Sequence, residues 1–104
     1  MFSVTKAAAE QIRKSAEQSN MGDLALRIAA TKKPDGSLDY AMGFDEPGEE
    51  DIELKSEGVK VVVAPQYVPL LNGATMDYVE IEAGAYSFIF LNPNDVNYSP
   101  PNED

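Results

Sequence analysis

The chain of 104 residues contains neither cysteine nor histidine. Without cysteine it can form no disulfide, no thiolate nucleophile, no thiolate zinc site and no ordinary cysteine-held iron–sulfur cluster. Without histidine it lacks the side chain most often used as a general base near neutral pH, and the commonest imidazole metal ligand. Basic residues are also few: 8 against 18 acidic ones, a net charge of −10, which repels nucleic-acid phosphate and anionic membrane surfaces alike. No apolar run approaches the roughly 18 residues of a membrane span. Met1-Phe2-Ser3-Val4 leads straight into polar, helix-like sequence with no signal-peptide core, so neither a nucleic-acid nor a membrane partner is expected and a cytoplasmic location is.

What is present suits one globular domain: 43% apolar and 25% charged residues, in a length that supports a single core. Thr5 precedes an Ala-rich stretch, 6–19, in which Ala8, Ile12 and Ala16 recur at the i, i+4 spacing of one helical face. Thr5 is a good N-cap, and Asn20 and Gly22 are residue types that end helices. Leu24, Leu26 and Ile28 then alternate as a half-buried strand requires. Pro34-Asp35-Gly36-Ser37 turns the chain into a partner strand, 38–44, with Leu38, Tyr40, Met42 and Phe44 on one face. Beyond an acidic loop, 45–51, two short apolar runs, 52–54 and 59–63, read as strands joined through Gly58.

Pro65 suits the first turn of a brief helix ending near Gly73, with Val68, Leu70 or Leu71 inward. Two further strands, 76–81 and 86–91, follow. Apolar content collapses from Asn92, so residues 1–94 are expected to form one domain and 95–104 a mobile, acidic, proline-rich tail. With no regular βα alternation, these elements predict a mainly β (α+β) fold with an N-terminal helix and one short helix among the strands.

Few constellations carry chemistry. The acidic loop lacks the alternate spacing, central glycine and late glutamate of an EF-hand, so a solvated loop is expected rather than a cation site. The seven glycines never assemble into a phosphate-cradling motif. The serines have no histidine to activate them. Nothing around Lys14, Lys32, Lys33, Lys55 or Lys60 suggests the desolvation that would turn an amine into a base. Tyr40, Phe44, Tyr86, Phe88 and Phe90 sit at strand periodicity, which core packing explains better than a base-stacking platform. No catalytic residue is assigned.

Several segments together nevertheless resemble one family. They are Leu26-Arg27-Ile28, Tyr40 with Phe44-Asp45-Glu46-Pro47, Asp51-Ile52, Gly58 with the valine run that follows, Leu71-Asn72-Gly73-Ala74-Thr75-Met76-Asp77-Tyr78-Val79, and Phe88-Ile89-Phe90-Leu91-Asn92-Pro93-Asn94. Their order and spacing, from Phe2 to Asn94, resemble the HesB/IscA-like, or A-type, iron–sulfur carriers. The resemblance implies two packed β-sheets in a HesB-like sandwich, in agreement with the strand count.

Members of that family hold iron or a cluster through three cysteines, one in the loop after the Leu-Arg-Leu-like strand and two as Cys-Gly-Cys near the C-terminus. The matching positions here carry Asp35, Ser99 and Pro101. A carboxylate, a hydroxyl and a proline ring do not replace thiolates on iron–sulfide, so no metal site and no cofactor are expected. A cysteine-free A-type scaffold is similar to the DsrR-type members associated with dissimilatory sulfite reductase systems of sulfur-oxidising bacteria. That likeness implies a protein-binding or regulatory factor whose partner is an Fe–S enzyme or assembly factor, through contact residues the sequence does not name; the lost ligands and the net charge of −10 predict a monomer. The alternative is an assembly accessory protein binding iron weakly through Asp35, Asp39, Glu103 and Asp104; an enzyme ranks last.

Overall fold

The computed structural model describes residues 2–96. Strand β1 (Ser3–Val4) leads into helix α1 (Lys6–Gln18), followed by β2 (Ala25–Lys32), β3 (Leu38–Asp45), β4 (Ile52–Ser56) and β5 (Val59–Val63). A 3-10 turn (Pro65–Tyr67) then runs into the one-turn helix α2 (Val68–Leu71), and β6 (Thr75–Glu82) and β7 (Ala85–Leu91) complete the order. No described helix is long and apolar enough to cross a membrane.

Helix α1 begins and ends on local chemistry. The Thr5 hydroxyl oxygen accepts from the Ala8 backbone N–H at 3.2 Å, satisfying one of the donors a helix start leaves open. At the other end Met21 N–H reaches Ala16 O and Asn20 N–H reaches Glu17 O, while Asn20 takes φ 56°. That left-handed residue closes the helix in a Schellman arrangement; the expected contribution of Gly22 is not needed. Ala8, Ala9, Ile12 and Ala16 form the buried face.

The strands make two sheets, one of order β1-β6-β7 and one of order β3-β2-β5-β4. In the second, β2 pairs antiparallel with β3 and parallel with β5. Strands β4 and β5 close through Glu57 and Gly58, at φ 50° and 82°, the two positive values that a tight hairpin turn compatible with strand twist requires. Ile28, Val61 and Val63 of this sheet meet Val4 and Met76 of the other, with Ala8, Ala9 and Ile12 of α1 in the same cluster. Each fully buried aliphatic there contributes roughly 1.5–3 kcal/mol by leaving water. Polar links join the layers: Ser56 Oγ accepts from Val4 N–H at 3.1 Å, and Thr5 Oγ1 donates to Asp77 Oδ1 at 2.6 Å.

Three expectations change in detail. Of the short helix's three candidate inward residues, Leu71 is buried and Leu70 packs against the core partly buried, while Val68 is 38% exposed because a single turn cannot present all three to one face. The acidic loop is not simply solvated but folds around Arg27. Its guanidinium donates to Asp45 Oδ2 at 2.8 Å, to both oxygens of Asp51 at 2.9 and 2.6 Å, and to Glu46 O. The fork geometry explains why arginine rather than lysine holds two carboxylates at once. Finally, Tyr86 is 56% exposed and stacks on Tyr78 at 5.6 Å rather than entering the core, whereas Tyr40, Phe44, Phe88 and Phe90 pack against it.

Candidate functional site

The turn after β2 holds Asp35, and its geometry follows from four residues. Gly36 N–H donates to Lys33 O and Lys33 N–H to Ser37 O, with Pro34 supplying its fixed φ and Gly36 taking φ 91°, which a Cβ would disfavour. Asp35 Oδ1 accepts from Ser37 N–H at 2.9 Å and from Ser37 Oγ at 2.6 Å. The Ser37 hydroxyl first, then its N–H, hold the Asp35 carboxyl below the usual carboxylate range. Asp35 thus spends one oxygen on locking its own turn. Asp39 lies on β3, exposed, with its carboxylate 3.4 Å from Lys33 Nζ.

The C-terminal segment returns to this turn because of the two sequence blocks flanking β6 and β7. Asn92 is 1% exposed; its Nδ2 donates to Leu70 O at 2.7 Å and its Oδ1 accepts from Asn94 N–H at 2.9 Å. Asn94 Nδ2 reaches Asn72 O at 2.8 Å. Gly73, at φ 84°, leaves its Cβ position 3.4 Å from Pro93 Cγ. The Leu71-Asn72-Gly73 and Asn92-Pro93-Asn94 motifs are therefore two halves of one junction, which fixes where the chain leaves β7.

Beyond it, Asp95 Oδ2 lies 3.4 Å from the Tyr40 hydroxyl, and Val96 Cβ and Cγ1 lie 3.6 Å from the vacant Cβ position of Gly36. Tyr40 stacks on Phe90 at 4.1 Å and 6°. Burial raises the Tyr40 phenol above its ordinary value, opposed by a hydrogen bond from Asn92 and reinforced by the Asp95 charge. The segment from which the tail emerges is thus set directly against the Asp35 turn. Ser99, Pro101, Glu103 and Asp104, and with them the tail from 97 onward, lie outside the described residues.

Residues 1–97 match the family described as iron–sulphur cluster biosynthesis. The chain belongs to that family. It is 41% identical to a protein of Aquifex aeolicus (strain VF5) over 95 residues, covering 90% of this chain and 81% of that one. It is 36% identical to the iron–sulfur cluster insertion protein ErpA of Xylella fastidiosa (strain M12) over 91 residues, 86% of this chain and 70% of that one. Its fold superposes on a crystal structure of IscA with the [2Fe-2S] cluster with a TM-score of 0.74, at 26% identity, covering 89% of this chain and 86% of the other. The expected α+β sandwich with an N-terminal helix and a short second helix is the fold of this family.

The donor set of this family member differs from what a cluster held by cysteines needs, since none of its 104 residues supplies a thiolate. Oxygen donors are hard ligands poorly matched to iron–sulfide. Among the described residues no three carboxylates converge to hold a metal ion; Glu103 and Asp104, which the carboxylate alternative also needs, lie outside those residues. What the sequence reading missed is the Tyr40, Asn92 and Asp95 corner. Its only sequence signal is the Asn-Pro-Asn motif, which marks a turn but not its partner.

Proposed function

We propose that this chain is a protein-binding or regulatory member of the iron–sulphur cluster biosynthesis family that carries no cluster. On this reading it docks on an Fe–S enzyme or an assembly factor where a carrier of the same fold would dock. The observation that carries the reading is Asp35: at the position matched to the family's first cysteine stands a carboxylate bound into its own turn by Ser37. The turn, with Asp95 and Val96 set against Tyr40 and Gly36 beside it, supports the reading of a surface kept without the soft ligands. A cysteine-free chain of this fold fits the DsrR-type members linked to dissimilatory sulfite reductase systems, with a cytoplasmic location and no catalytic step of its own.

Anaerobic reconstitution with ferrous iron and sulfide tests the first half. The protein should come off a desalting column with both at background, and stoichiometric retention would overturn the reading in favour of a carboxylate-based carrier. A pull-down from native lysate, comparing the full chain with a truncation after Asn94, tests the second. A specific Fe–S enzyme or assembly factor should be retained by the full chain and lost with the truncation; capture of neither class would count against a docking role.

A further inference from the structure

Strand β4 forms one edge of its sheet: in the order β3-β2-β5-β4 it pairs with β5 alone among the described residues. Ser56 and Val59 flank a two-residue turn and so exchange backbone hydrogen bonds, as do Leu54 with Val61 and Ile52 with Val63 in the same register. The backbone groups of Glu53 and Lys55 therefore point away from β5, and no other backbone bond reaches them among the described residues. The pairing with β5 is regular, and β4 has no proline to blunt its open side.

Alternation along the strand sends Ile52, Leu54 and Ser56 to the inner face and Glu53 and Lys55 to the outer one, in keeping with the Ser56–Val4 bond and the packing of Leu54 on the core. Beside the inner face runs an apolar groove of about 190 Å³ between β4 and α2. Phe2 and Leu71, both buried, are its floor, and Ile52 and Val68, both exposed, its rim. The loop that feeds β4 carries Glu49 and Glu50, which like Glu53 have no ion-pair partner among the described residues. Lys55 is the one cation on the strand.

We propose that the β4 edge takes up an extended peptide as a fifth strand, one whose apolar residues alternate with basic and neutral polar ones. Residues directly opposite one another across a strand pair lie on the same face. A strand bonded to the Glu53 and Lys55 backbone thus places an apolar side chain opposite Leu54, into the groove, and a lysine or arginine opposite Glu53, on the outer face. Main-chain bonds supply affinity, while the groove and the unpaired carboxylates select the sequence. A second copy of this chain fits less well. It would bring another net charge of −10 to the contact, and a five-residue strand offers little of the roughly 800 Å² per partner of a stable interface. The Asp35 turn joins β2 to β3, on the other side of the sheet, so this surface is separate from the proposed docking site.

Titration of 15N-labelled protein with the capped peptide Thr-Val-Thr-Val-Lys-Val-Lys tests it. The Glu53 and Lys55 amides should shift saturably and gain protection from hydrogen exchange. The same peptide with glutamate for lysine, or with N-methyl groups on its second threonine and first lysine, should not bind. Ile52→Ser should weaken binding by roughly tenfold. Lys55→Pro, which removes an outward N–H and leaves the β5 ladder intact, should abolish it, and Ile81→Ser, at an exposed position on β6, should bind as the wild type. Absence of saturable shifts on β4, undiminished affinity of Ile52→Ser, equal weakening by Ile81→Ser, or equal binding of either altered peptide would each overturn the proposal. So would concentration-dependent shifts on β4 without peptide, which would make a second copy the occupant.

Discussion

Asn92 donates its side-chain amide to the carbonyl of Leu70 across 2.7 Å, tying the exit of β7 to the end of α2. The bond matters because Leu70 O belongs to a helix only one turn long, whose carbonyls have few partners of their own. It also sets the direction in which Asp95 and Val96 run towards Tyr40 and Gly36.

Replacing Asn92 by leucine keeps the volume, leaves Leu70 O only the longer bond from Asn94 Nδ2 at 3.3 Å, and removes the acceptor of the Asn94 N–H. The expected loss is about 1–3 kcal/mol, read from urea midpoints at unchanged slope. Gly73→Ala should destabilise as well, by about 1–2 kcal/mol, because the residue holds a left-handed backbone at φ 84°. Neutrality of both substitutions would mean that the junction is dispensable.

Acid stability should report the Arg27 clasp. The guanidinium, with the Gly48 N–H, holds the Asp51 carboxyl down at about 2, against about 3.9 in an unfolded chain. The unfolded state therefore binds more protons between these values. The contribution of the clasp is complete above the unfolded value and is lost as pH falls towards 2. Arg27→Leu should flatten this part of the dependence of the urea midpoint on pH. A profile as steep as that of the wild type would show that other carboxylates carry it.

Thiolates should restore iron binding if the loss in this chain is one of ligand chemistry. Asp35→Cys, Ser99→Cys and Pro101→Cys with Pro100→Gly return three soft ligands and free the backbone between two of them. The contact between Val96 and the Gly36 position already brings the start of the C-terminal segment to the Asp35 turn. Anaerobic reconstitution of the quadruple variant should retain iron and sulfide above the wild-type level. A folded variant that retains none would show that the Pro34 turn aims the first thiolate wrongly.

Self-association is expected to be absent at micromolar concentration, since the chain lacks shared thiolate ligands and carries a net charge of −10 that opposes it. Sedimentation velocity in metal-free buffer should give a single species of monomer mass. A stable dimer would redirect attention to apolar side chains left open on the surface, Ile52, Ile81 and Tyr86 among them.

Local order was legible in the sequence wherever the physics is local. The Thr5 cap, the i, i+4 alanine and isoleucine face, the alternation of Leu26 and Ile28, and the proline–glycine turn at Pro34 act within a few residues. Each is found where the pattern placed it. The absence of cysteine likewise settled the donor chemistry before any coordinates. What only the tertiary structure decided involves partners far apart along the chain. Asn92 meets Leu70 across 22 positions, Arg27 meets Asp51 across 24, and Tyr40 meets Asp95 across 55. A hydrogen bond between distant residues leaves no periodicity in the sequence. Burial of Asn92 and the closing of the acidic loop on one arginine depend on how the two sheets and the helix pack. Packing and not composition made these sites.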